Sequence, residues 1–318
     1  MTLTTEQLST ILRRALPDEQ LREARALPGS RYLLALAGGE QLQVQAYASA
    51  AAAASAAAAL RRLRGEIDLP IPQLRASDPD GATVGQPYLL LSDLPGEPLA
   101  QALGRIPDDA LYQLGRRLGA IAGRIHRLAC DSYGALGGSG HTAANEHDYV
   151  LARVERATGH CAELGLLDRR SGAALLGWFA REFVPTGRQP ALVHGGLGPH
   201  TLLVRQGDTS GTRGAWRVSG VLGWETALGW CPAWEHATWL DTIDEPRYFS
   251  LRVGYGNGYD EQNSRTYEQV REHVLAPYRL LLLLDRMQAA HAAGDIAGCE
   301  RRRSVLRGLM EFLDLDTR

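Results

Sequence analysis

The sequence predicts an α+β protein of two lobes, a small β-rich lobe over residues 1–93 and a larger helical lobe over residues 94–318. Three observations predict it. Short apolar runs bounded by Gly and Pro crowd the first part of the chain, as strands require. From Pro107 onward apolar residues recur at steps of three and four, the helical period. Between the two regions lies a Pro-Gly connection, residues 93–98 of SDLPGEPL, placed to act as a hinge. A chain of 318 residues, 45% hydrophobic, suffices for two modest cores.

Residues 4–27 show helical spacing that stops at Pro28-Gly29. Ser30 to Tyr47 reads as a β-hairpin about Gly38-Gly39, with Leu42, Val44 and Ala46 alternating with Gln41, Gln43 and Gln45. Residues 48–65 are nearly all alanine, then basic, then Gly65, which predicts a helix with a glycine stop. LPIPQLRA is extended because each proline biases its predecessor away from helix. DPDG, Asp78 to Gly81, is a turn, and Tyr88 to Leu91 a buried strand. DDALYQLGRRLGAIAGRIHRL is a helix, and residues 146–186 hold two more. ALVHGGLGPHTLLV, Ala191 to Val204, reads as loop then strand, and RVSGVLGWE as a second strand and turn. Residues 265–291 and 296–313 close the chain as helices. LAPYRLLLLLDRM, its most apolar run, is too short and too charged at its flanks to span a bilayer and reads as a core helix.

Composition narrows the classes of function. A formal charge of -2 argues against nucleic-acid binding, which needs a concentrated basic excess. The four cysteines lie apart with no CxxC pair, so neither a zinc site nor a disulfide framework is expected. The amphipathic N-terminus has no apolar signal-peptide core, and a cytoplasmic location is expected, with no membrane partner. The excess of Arg over Lys, with abundant Ala and Gly, is typical of GC-rich bacterial genes.

Four segments carry a resemblance. GQPYLLLSDLPGEPL, LGAIAGRIHRLACDSYGALGG, LVHGGLGPHTLLV and VSGVLGWETALGWCPAWEHA occur in this order. They resemble, respectively, the strand and hinge, the helix ending in Leu-His, the H-G-D-x-x-x-x-N loop, and the I-D-W/F-E and G-D-P-x-x-D-L-A blocks of the aminoglycoside phosphotransferase and choline-kinase-like family. The resemblance runs over roughly residues 25–260 and implies a bilobal protein-kinase-like fold.

The departures carry the functional information. Phosphoryl transfer in this fold rests on positioning and electrostatics. Carried over position by position, the family's catalytic Asp falls on Gly196, its metal-binding Asn on Thr201 and its metal-binding Asp on Gly223. The phosphate-gripping Lys falls on Gln45, or on Gln43 if the register slips by one pair. The helix Glu that would hold it falls near Ala56, and the Asp of the later G-D-P on Cys231. Glycine can neither take a proton nor ligate a hard cation. Losing a catalytic base alone costs roughly 10²–10⁴-fold in rate. No cofactor is expected, and Mg-ATP chemistry is disfavoured.

The leading reading is a pseudo-phosphotransferase whose cleft binds a small molecule, a peptide or a partner enzyme. Natural-product pathways of GC-rich bacteria, which use relatives of this family, supply a setting by analogy. The alternative is a metal-free enzyme in the same cleft, for cyclisation, elimination or acyl transfer, with His200 and Glu225 as acid and base. An unorthodox small-molecule or peptide kinase is the third. Gln45 and Asp93 are the candidate cofactor-side positions. His194, Trp224 and His236 read as structural, Glu235 as a local cap or pair, and Arg61, Arg62 and Arg64 as a solvated face. Asp208 reads as the tip of a hairpin turn, badly placed to replace a lost carboxylate.

Overall fold

The computed structural model describes residues 2–65, 70–138, 140–207, 215–243, 246–263 and 272–315. Helix α1 (Thr5–Ala15) begins at a capping box between Thr4 and Gln7. It is followed by β1 (Leu21–Leu27), β2 (Arg31–Leu36), β3 (Gln41–Ala46), α2 (Ala50–Leu63), β4 (Leu74–Asp78) and β5 (Tyr88–Ser92). The five strands form one antiparallel sheet in the order β1-β2-β3-β5-β4. Leu42, Val44, Tyr88 and Leu90 face α1, forming a core with Ile11 and Leu12. Leu89 and Leu91, on the other face, join the alanines of α2 and the body beyond the hinge.

The chain between residues 4 and 27 differs from the helix its spacing predicts. The helix ends at Ala15, before Pro17, and residues 21–27 pair with β2 in register Leu27↔Arg31 to Leu21↔Leu36. Edge pairing on a ready-made hairpin overrides a helix-like local pattern.

After the hinge come β6 (Glu97–Pro98), α3 (Leu99–Ala102), α4 (Asp108–Ile125), β7 (Tyr133–Ala135), β8 (Thr142–Ala143), α5 (Glu146–Glu163) and α6 (Arg169–Glu182). Then follow β9 (Ala191–Val193), β10 (Leu202–Gln206), β11 (Trp216–Val221), β12 (Leu228–Trp230), α7 (Pro232–Thr242), α8 (Phe249–Asn263), α9 (Glu272–Ala292) and α10 (Ile296–Phe312). Strands β11, β10 and β6 form one small sheet, and β8, β7, β12 and β9 another, so the hinge strand is stitched to the loop strands.

Helix α8, FSLRVGYGNGYDEQN, has no apolar period and is rich in glycine. Packing explains it. A Cβ on Gly115 or Gly119 of α4 would sit 2.2 Å or 2.0 Å from the backbone oxygen of Leu251 or Tyr255. Reciprocally, one on Gly254 or Gly258 would sit 2.1 Å or 2.0 Å from the oxygen of Tyr112 or Arg116. Two glycine faces thus bring the helices into backbone contact, and that contact rather than propensity holds α8. The most apolar run forms the middle of α9, with Leu280, Leu281 and Leu284 fully buried. No described helix is long and apolar enough to cross a membrane.

Candidate functional site

The loop between β9 and β10, His194 to Thr201, is hung from one carboxylate. Cys231 caps α7, Pro232 occupies its first turn, and Glu235 points from that turn into the loop. Its Oε2 accepts the N–H groups of His194 at 2.5 Å and Gly195 at 3.0 Å, and its Oε1 that of Leu197 at 3.2 Å. Burial alone would raise the Glu235 pKa. The His126 ring, His194 and the Gly195 N–H outweigh burial and bring it down to about 2. Glu235 is therefore not a local cap: it crosses between elements and sets the loop's path. Beside it the wholly buried His236 packs edge-on against Tyr259 and is kept neutral, its pKa lowered to about 3 by burial first and by His126 second.

His194 has the architectural role expected of it. Its Nε2 donates to the Leu222 oxygen at 2.7 Å, and its Nδ1 lies 3.3 Å from the Gly196 nitrogen. Trp224 packs against this ring, is buried, and donates its indole N–H to the Val221 oxygen at 2.8 Å.

Thr201, where the resemblance puts the family's Asn, turns inward. Its hydroxyl accepts the Gly198 N–H at 3.0 Å and lies 3.1 Å from both the Gly196 and Gly198 oxygens, to one of which it donates. Its methyl lies over Gly223, which has φ +85: a Cβ there would come within 2.8 Å of Thr201 Cγ2. Thr201 and Gly223 are thus coupled, since the space for a side chain at position 223 is held by the Thr201 methyl. Gly196 is different. A Cβ there meets only Thr226 Oγ1 at 3.0 Å, and the backbone is not left-handed.

On the sheet side, Gln43 and Gln45 face the same way as Leu91 and Leu89, their register partners. Gln45 Nε2 donates to the Gly29 oxygen at 3.0 Å, toward the β1–β2 turn. Gln43, nearly buried, donates instead to the Asp93 carboxylate. Asp93, just past β5, is thereby tied to β3. Ala56 is fully buried where α2 packs on the Trp224–Thr226 turn. Tyr47 lies there too, its hydroxyl pKa raised by burial and then by the charge of Glu225.

His200 and Glu225 are both exposed and both line one cavity of about 530 Å³. Gly196, Thr201 and Gly223 form part of its floor, and α5, α7 and α9 its far wall. On that wall Arg153 donates to Asp285 at 2.6 Å and stacks 4.4 Å from the Trp234 ring centre. Arg286 pairs with Asp241 at 3.3 Å. These wall residues carry no sequence motif; their positions in α5 and α9 become a site only through folding. Asp208 lies outside the described residues.

The resemblance implies a magnesium nucleotide. Gly196 and Gly223 offer no side-chain ligand, the Thr201 hydroxyl is spent on its own loop, and among the described residues no three His, Cys, Asp or Glu side chains cluster to hold a metal ion. These side chains do not make a magnesium site.

Comparison with known proteins agrees with the architecture. The model of the phosphotransferase enzyme family matches residues 4–273. No curated protein sequence matches. Among solved structures, the chain is similar to aminoglycoside phosphotransferase APH(4)-Ia, at 15% identity over 97% of this chain and 99% of that one, with a TM-score of 0.65. It is similar also to the GDP complex of an aminoglycoside 2'-phosphotransferase-IIIa variant, at 16% identity over 97% and 98%, with a TM-score of 0.63. The chain belongs to the phosphotransferase enzyme family and has its kinase-like fold.

Proposed function

We propose that this member of the phosphotransferase enzyme family is a pseudo-phosphotransferase. It keeps two lobes meeting near residues 93–94 and the cavity under the former catalytic loop, and acts there by binding a small molecule or a peptide. The observation that carries the reading is the mutual fit of the replacements. The Thr201 hydroxyl satisfies the loop from within while its methyl fills the space above Gly223. A site with one accidental loss would leave its partners poised for metal. Here the replacements pack on one another, as selection for a stable loop without transfer chemistry would leave them.

The cavity wall bears on the ligand. Asp285 is taken by Arg153 and Asp241 by Arg286, leaving Glu225 as the lining carboxylate without an arginine partner among the described residues. Such a wall is a poor host for a polycation and suits a neutral or weakly charged ligand. A natural-product pathway is a setting consistent with this.

Calorimetric titration with ATP, with and without Mg²⁺, tests the proposal. The expected result is no Mg-dependent binding to the wild type. Mg-dependent binding at micromolar affinity would return the chain to the active kinases. A second reading, metal-free catalysis, draws on His200 and Glu225 lining the same cavity. It requires His200→Ala or Glu225→Gln to abolish function in the producing cell while leaving the thermal melt unchanged.

A further inference from the structure

A second concavity of about 530 Å³ lies on the far side of α2, between the C-terminal half of that helix and β4. Leu60 and Leu63 from the helix, with Ile71 and Leu74 from the strand side, form an apolar floor. Its charged lining is of one sign among the described residues: Arg61, Arg64 and Arg75, all exposed. Arg61 is held across the groove by a 2.7 Å bond to Ser77 Oγ, and Arg75 lies 3.0 Å from Glu40. Arg64 follows the last helical turn with no described carboxylate beside it. A solvated helix face explains exposed arginines, but not a groove with an apolar floor between them.

The strand beside the groove adds a second, independent feature. β4 is the outermost strand of its sheet, so its second edge has no strand partner among the described residues. An unpaired edge presents main-chain donors and acceptors to any extended segment laid along it. A groove between a helix and an edge strand is the arrangement by which a peptide is added as an extra strand, its alternate side chains dropping to the floor.

We infer that the α2–β4 groove is a docking site for an extended, acidic peptide segment of a partner protein. Apolar side chains of the segment meet Leu60, Leu63 and Leu74, and its carboxylates meet Arg64 first, then Arg61 and Arg75 in exchange for their bonds to Ser77 and Glu40. Charge complementarity selects this occupant: a second copy of the chain would have to present an acidic strand, and a basic segment would face three arginines. The site is separate from the cavity at His200 and does not depend on what that cavity binds.

The test is selection of a random twelve-residue peptide display library on the full chain, followed by titration of the enriched sequences as synthetic peptides. The expected outcome is enrichment of sequences alternating Asp or Glu with Leu, Ile or Phe. Their affinity should fall at least tenfold for Arg64→Glu and for the Arg64→Ala/Arg75→Ala double variant, both with unchanged melting temperature. Binding should also slow amide exchange in β4. No enrichment, enrichment of basic sequences, or affinity insensitive to both variants would overturn the inference. So would binding of phosphatidylserine vesicles lost in the same variants while no peptide binds, since that would make the groove a membrane contact.

Discussion

The coupling between Thr201 and Gly223 can be measured, and its size follows from the geometry. Gly223→Ala places a methyl on a residue at φ +85, 2.8 Å from Thr201 Cγ2. The left-handed backbone costs an L-residue about 1–2 kcal/mol. Crowding a methyl into packed surroundings adds about 1–3 kcal/mol. The single substitution should therefore destabilise the fold by about 2–5 kcal/mol. Thr201→Ser removes the offending methyl and keeps the hydroxyl that accepts the Gly198 N–H. By itself it should cost about 0.8 kcal/mol, one buried methyl group. In the Thr201→Ser background Gly223→Ala should then cost only the backbone share, about 1–2 kcal/mol. Urea unfolding of the four proteins closes a double-mutant cycle, with an expected coupling of about 1–3 kcal/mol. Additivity within about 0.3 kcal/mol would show that the two positions do not share their space. The interlocked replacements that carry the functional proposal would then be two unrelated losses.

Gly119→Ala should destabilise by about 3 kcal/mol or more, because its Cβ would lie 2.0 Å from the Tyr255 backbone oxygen and neither helix backbone can yield locally; thermal and urea melts check it. Glu235→Gln should loosen the loop, raising amide exchange at His194, Gly195 and Leu197, whose N–H groups the carboxylate holds. Two buried groups set the acid limb of stability. His236, lowered from 6.5 to about 3, is neutral in the fold, so stability present above pH 6.5 falls as pH drops toward 3. Glu235, lowered from 4.5 to about 2, adds stability present above pH 4.5 that is lost as pH falls through 2, about 3 kcal/mol at most. Urea unfolding from pH 7 to pH 3 should show the first decline before the second, and Glu235→Gln should remove the second while deepening the first, since the Glu235 charge raises the His236 pKa. Kanamycin, a polycation, should show no calorimetric binding, since the cavity wall's Asp285 is already paired with Arg153.

Much of the fold was legible because local and global preferences agree. The hairpin about Gly39, the alanine helix capped by Ser49 and the leucine run of α9 each bury the face their period presents. Residues 21–27 were not legible as a strand. Their spacing, exposed on one side of an edge, carries a helical pattern, and only β2 makes them a strand. Helix α8 was hidden for the opposite reason. Its glycines lower its propensity, and their purpose appears only against Gly115 and Gly119 of α4. That repeat of glycine at four-residue steps, continued at Gly123, was the available signal of close helix contact.

The site divides along the same line. The positions on which the proposal turns, Gly196, Thr201 and Gly223, could be picked out in the sequence because a motif is a local object. What surrounds them is not local. The Glu235 bonds span about forty residues, Arg153 reaches its partner Asp285 across 132, and Gln43 finds Asp93 through strand register. These long-range bonds belong to one design. A buried carboxylate costs several kcal/mol unless its lone pairs are met, and Glu235 meets three backbone donors of the loop. On the proposed reading, in which the groups for phosphoryl transfer are gone while the costly support beneath them is intact, the shape of the loop is itself what the chain retains. That is the condition under which a ligand reads the loop's surface instead of reacting at it, and it places the Thr201–Gly223 cycle ahead of any activity assay: if the loop tolerates a side chain at Gly223 without cost, its shape is not under constraint and the binding proposal loses its foundation.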